Sequence, residues 1–172
     1  MGVDIHTHLV KFNHESRYFE EIKLYRFNKK TGEYENLDLY PGRNSEMFGA
    51  MVNEETYSYG IFPEKNLHTG SLEPELAEYI EGLMNPPKGE FLGYYDFREV
   101  NLLEWKIYVE NHPKVFDYDV SWEDSEDGVH YKSNPLKELY DTCVSFITFA
   151  DDDFSWGMSS LADYKLIYYF DH

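Results

Sequence analysis

The stretch YKLIYYF, Tyr164–Phe170, alternates Leu166, Tyr168 and Phe170 against Lys165, Ile167 and Tyr169. A strand sends successive side chains to opposite faces, and here both faces are largely apolar or aromatic. That pattern suits a central strand buried on both sides. A second strand opens the chain. In MGVDIHTHLVKF, residues 1–12, Val3, Ile5 and Leu9 point one way, and Asp4, His6, His8, Val10 and Phe12 point the other. NHES is a polar turn, YFEEIKLYRF continues as strand, and NKKTGE turns again on Gly32 before YENLDLY. Residues 3–40 therefore read as a β-meander.

Helical periodicity fills the middle. Asn44 or Ser45 caps a short helix through Val52. Pro74 opens a second, with Leu76, Ile80, Leu83 and Met84 on one face and NPP as its stop. Asn101 followed by Glu104 resembles a capping box for LLEWKIYVENH, which ends before Pro113. Asn134-Pro135 caps a fourth, with Leu136, Leu139, Tyr140, Cys143 and Ile147 on its face. Its segment CVSFITF, residues 143–149, is β-branched and aromatic enough to fit a strand as well. Strands, then helices, then a strand make an α+β domain. A mainly antiparallel sheet (the N-terminal meander plus the C-terminal strand) carries three to four helices on one face. The 172 residues fit a single globular domain.

Composition excludes several function classes. Aromatic residues make up 18% of the chain, with 16 Tyr and 12 Phe, which argues against disorder. No apolar run is long enough to span a bilayer, and the N-terminus has no signal-peptide pattern. Cys143 is the single cysteine and sits in an apolar stretch, as a core thiol in a reducing compartment would, so the cytoplasm is the expected location. The net charge is −18. Residues 1–43 hold seven acids and seven bases, so the remainder carries all of it. Such a field repels phosphates, and no basic patch with interleaved aromatics is apparent, so direct nucleic-acid binding is not expected. A partner with a basic surface is.

Asp4, His6 and His8 form the one constellation with chemistry. Alternate positions on one strand face bring a carboxylate and two imidazoles toward a common point, a donor set suited to a divalent transition metal. Catalysis would need a further ligand and an open position for water. His14, His68, His112, His130, Asp171 and His172 are the further candidates. Asp-Xaa-His-Xaa-His resembles the first-strand motif of amidohydrolases and of polymerase-and-histidinol-phosphatase hydrolases. Their barrels run to about 250 residues of alternating strand and helix, which this chain lacks. The alternative is a strand whose polar face is solvated or hydrogen-bonded. DYDVSWEDSEDG, residues 117–128, fails the calcium-loop pattern, because Trp122 stands where Gly is required and Gly128 where Glu is required. It reads as an exposed acidic loop whose Trp122 suits a partner surface. DDDF, residues 151–154, follows a helix, where carboxylates are unfavourable, and reads as a structural loop. Nucleophile-elbow, phosphate-loop and dinucleotide motifs are absent.

MGVDIH, RNSEMFGAMVN, GIFPEKNL, YYDFREVNLLEW and YKLIYYFDH occur in order along most of the chain. In these pieces the sequence resembles a group of uncharacterised phage and prophage proteins that begin Met-Gly-Cys-Asp-Ile-His. Val3 replaces the group's Cys, and the position of His8 is often not His there. The resemblance implies a phage or prophage origin and carries no activity or catalytic residues with it. The resulting expectation is an accessory protein that binds a protein partner through an acidic, aromatic-rich surface. A metal-dependent hydrolase and an acidic DNA-mimic decoy are the alternatives, and an enzyme is the less favoured class.

Overall fold

The computed structural model describes residues 4–37, 39, 51, 67–84, 97–111, 118–121, 130–133 and 135–171. Its strands are β1 (Asp4–Phe12), β2 (Phe19–Glu21), β3 (Tyr25–Asn28), β4 (Glu33–Asn36), β5 (Arg98–Asn101), β6 (Tyr118–Ser121), β7 (His130–Ser133) and β8 (Tyr164–Asp171). The helices are α1 (Pro74–Met84), α2 (Leu102–Asn111), α3 (Pro135–Ala150) and the single turn α4 (Asp152–Ser155). Short 3-10 turns lie at Thr69–Ser71 and Leu161–Asp163. This is the α+β class with a mainly antiparallel sheet that the sequence implies. Among the described residues no helix is long and apolar enough to cross a membrane.

The main sheet has the order β2-β1-β8-β5, and all its pairings are antiparallel. The opening and closing strands therefore lie side by side, with His6 opposite Tyr169 and Leu9 opposite Leu166. β8 is central and buried on both faces, as its alternation predicts. On one face Ile5, Leu9, Leu166, Tyr168 and Phe170 pack against Leu102 and Trp105 of α2 and against Leu136, Leu139, Cys143 and Ile147 of α3. On the other, Val10, Ile167 and Tyr169 pack against Leu76 and Ile80 of α1, with Phe97. Helices thus cover both faces, not one. A strand that is apolar on both sides must be sheathed twice, and α1 supplies the second layer.

One local reading changes, and one left open is decided. The N-terminal strands do not run on as one meander. Ile22 and Leu24 pack against the main core and interrupt the strand, and Leu24 O accepts from Leu37 N at 2.7 Å. Beyond that break, β3 and β4 pair only with each other among the described residues. Residues 143–149 are helical within α3. Their apolar residues Cys143, Phe146 and Ile147 follow helical spacing on the buried side, and that periodicity outweighs β-propensity. The helix expected over 44–52 lies outside the described residues except for Met51, which is buried. Its carbonyl accepts a 3.0 Å hydrogen bond from the Tyr168 hydroxyl.

The turns and caps follow their residue chemistry. Gly32 takes φ +72° in the β3–β4 turn, a conformation open to glycine without steric cost. Asn101 Oδ1 accepts from Leu103 N (2.9 Å) and Glu104 N (3.4 Å), capping α2. Asp151 directly follows α3, its N–H donating to Ile147 O at 2.8 Å, and Lys11 offsets its charge at that helix end. Asp151 also begins α4 as its N-cap, accepting from Asp153 N at 3.0 Å. The three acids therefore sit where a helix dipole favours negative charge.

Candidate functional site

β1 carries its imidazoles on the face toward α1. The rings of His6 and Tyr169 stack at 4.7 Å with 13° between planes, and Phe97 lies 4.3 Å beyond Tyr169. His6 is thereby held within an aromatic layer. His8 lies nearer the surface, 6.1 Å edge-on from Tyr79 of α1. Its Nδ1 is 3.2 Å from Glu21 Oε1, and both side chains are 16% exposed. The strand pairing explains the contact. β2 joins β1 at Val10–Phe12, so Glu21 at the end of β2 reaches back beside His8.

Two clefts meet at this pair and share His8, Glu21 and Asn36. One, of about 340 Å³, is lined further by Lys23, Glu73, Glu75 and Tyr79. The other, of about 290 Å³, runs past Thr7 and Ile22 to Leu39 and Phe146. Thr7 Oγ1 is buried and has no hydrogen-bond partner among the described residues. Burial raises the Glu73 carboxyl above the usual range, reinforced by Glu20, Glu75 and Glu21 and partly offset by Lys23. The cleft is thus acidic, with one hydrogen-bonded imidazole–carboxylate pair. Such a pair can orient an imidazole for proton transfer or supply two donors to a cation.

The sequence-derived ligand set is only partly assembled here. His6 and His8 share a face, as expected, but they enter different surroundings. The register sets Asp4 opposite Asp171. His14 lies 3.1 Å from Asp163, His68 is exposed before the 3-10 turn, and His130 falls in β7. His112 and His172 lie outside the described residues. Among the described residues no group of three His, Cys, Asp or Glu side chains could hold a metal ion. The sequence did not mark Glu21 or Tyr79 as neighbours of His8, because only the strand pairing and the packing of α1 bring them there.

The acidic run has a structural role on its inner side. Lys11 Nζ lies 2.8 Å from Asp151 and 3.1 Å from Asp153, and the Tyr164 hydroxyl donates to Asp151 at 2.6 Å. Burial pushes the Asp151 carboxyl up, but the Lys11 and Tyr164 hydrogen bonds outweigh it and hold the group below the ordinary range. The outer side is different. Phe149, Trp156 and Met158 are 79%, 79% and 75% exposed, beside the exposed Asp152 and Asp153. Gly157, at φ +73°, ends α4 within this corner. The segment 117–128 with Trp122 is described only in part, as β6.

No family model matches the chain, and no curated protein or solved structure is significantly similar to it.

Proposed function

We propose that this is a phage-type accessory protein that works by docking a protein partner that has a basic surface. One observation carries the reading. Over residues 149–158 three large apolar side chains are at least three-quarters exposed, and carboxylates flank them. Single exposed apolar residues are ordinary, but three large ones within ten residues, interspersed with acids, favour an interaction surface. Aromatic and Met side chains supply contact area, and the acids select against acidic partners. The corner is also well supported. α4 is capped by Asp151, tied to β1 through Lys11, and joined to α3 by Ser155 Oγ donating to Thr148 O at 2.8 Å. A rigid platform loses little entropy when it binds.

The experiment is photo-crosslinking from position 156, with p-benzoylphenylalanine replacing Trp156 in bacterial cells. The exposed position 104 on α2 serves as control. The expected result is one dominant adduct, identified by mass spectrometry, that re-forms between purified proteins and weakens with salt. Equal adducts from both positions, or adducts with this chain alone, would overturn the reading.

A further inference from the structure

The β3–β4 ribbon is folded with its faces the unexpected way round. Tyr25, Phe27 and Tyr34 share one face, and the Phe27 and Tyr34 rings lie 5.2 Å apart across the strands. That face is in water, with Tyr25 57%, Phe27 50% and Tyr34 74% exposed. The opposite face is polar, with Asn28 and Glu35 part-buried and Arg26 and Glu33 exposed. There Asn28 donates to Glu35 at 2.6 Å, and Arg26 lies 3.5 Å from the same carboxylate. A lone two-stranded ribbon is marginal by itself, and the aromatic rings that would strengthen it are left uncovered.

Its charge is also inverted relative to the chain. Residues 25–36 hold Arg26, Lys29 and Lys30 against Glu33 and Glu35, a net +1, so the rest of the chain carries −19 within the total of −18. Lys29 and Lys30 sit in the turn at the tip. The surface that complements this arm is on the same molecule. α1 holds no cation and exposes Glu75, Glu78 and Glu81, with Tyr79, itself 54% exposed, next to Glu75 on the same side of the helix. The acids of the 149–158 corner match it less well, since Lys11 already neutralises part of them.

We infer that the β3–β4 ribbon is a self-association arm, whose aromatic face and basic tip dock on the acidic outer face of α1 in a second copy of this chain. At physiological ionic strength charges are screened beyond about 8 Å, which weakens the repulsion between two acidic bodies while leaving the contact charges in place. This surface is separate from the 149–158 corner, and either assignment can fail without the other.

The test is sedimentation velocity of the full chain at about 100 µM in 0.15 M salt. Circular dichroism confirms that each variant is folded. Wild type is expected to associate. Lys29→Glu with Lys30→Glu, and separately Glu78→Lys with Glu81→Lys, should each weaken association about tenfold or more. Mixing the two variants should restore a heteromeric complex. Phe27→Ala with Tyr34→Ala should abolish association without altering charge. A monomeric wild type, or association untouched by either charge reversal, would overturn the proposal. So would failure of the mixed variants to recover. Salt-sensitive binding of a fluorescent single-stranded oligonucleotide by a monomeric wild type, lost in the Lys29, Lys30 variant, would also overturn it and assign the arm to nucleic acid.

Discussion

Lys11 shows how one residue ties three elements together. From β1 it reaches the cap of α4, while Tyr164 at the start of β8 donates to the same Asp151 carboxylate. Both partners are mostly shielded from water, at 22% and 13% exposure, so the pair is worth more than a surface bridge. Replacing Lys11 with Met should cost about 1–2 kcal/mol in urea unfolding. The pH dependence follows from the depressed Asp151 carboxyl. Its contribution is fully present above the ordinary aspartate value of about 3.9, and it is lost as pH falls through the lower native value. Asp151→Asn should therefore flatten the acid side of the stability curve and lower stability at neutral pH. Glu73 runs the other way. Its raised carboxyl is penalised once ionised, so the penalty grows as pH rises through the ordinary glutamate range. Glu73→Gln should stabilise the protein at pH 7 by roughly a few tenths of a kcal/mol, with little effect at pH 3. Asn101 and Gly32 could be read from sequence because their roles are local. The His8–Glu21 contact could not, because the two residues are thirteen apart and meet only through the pairing of β1 with β2.

At the scale of elements, α3 decides between two competing local preferences. Thr148 is exposed in its last turns, and its hydroxyl donates to Val144 O at 2.8 Å. Thr148→Ala should raise stability by about 0.5 kcal/mol, because Ala is the better helix former at a solvent-facing site. In a strand the same change would lower it. On the buried side, Ile147→Ala should cost about 2–5 kcal/mol, since the cavity opens in the main core. The periodicities of β1 and α1 are clear in the sequence because each has a definite buried side, β8 stands out because both its sides are apolar, and α2 is marked by its Asn101 cap. β5 is much less so. It is four residues long with one buried side chain, and its place is fixed by pairing with β8. The break at Ile22–Leu24 was equally hidden, because an alternating run does not reveal which of its apolar residues belongs to a different layer.

For the whole molecule, the main consequence is that the sheet's two middle strands come from opposite ends of the chain. β1 and β8 make the longest pairing and separate the two core layers. The fold closes only when these distant segments meet, so a chain ending at residue 163 should fail to fold by circular dichroism. The opening strand is thus explained first as architecture. Ile5 and Leu9 enter one core, Val10 enters the other, and His6 joins the aromatic layer between sheet and α1. The recognition surface we propose lies outside that frame, on the corner formed by α3 and α4. The most direct measurement of its role is the yield of the residue-156 photo-adduct when Phe149→Ser and Met158→Ser are also present. Both side chains are exposed, so the double change should leave stability within about 0.5 kcal/mol of wild type. The adduct yield should fall about tenfold, the loss expected when anchor side chains leave an interface. An unchanged yield from a folded variant would contradict the proposed surface.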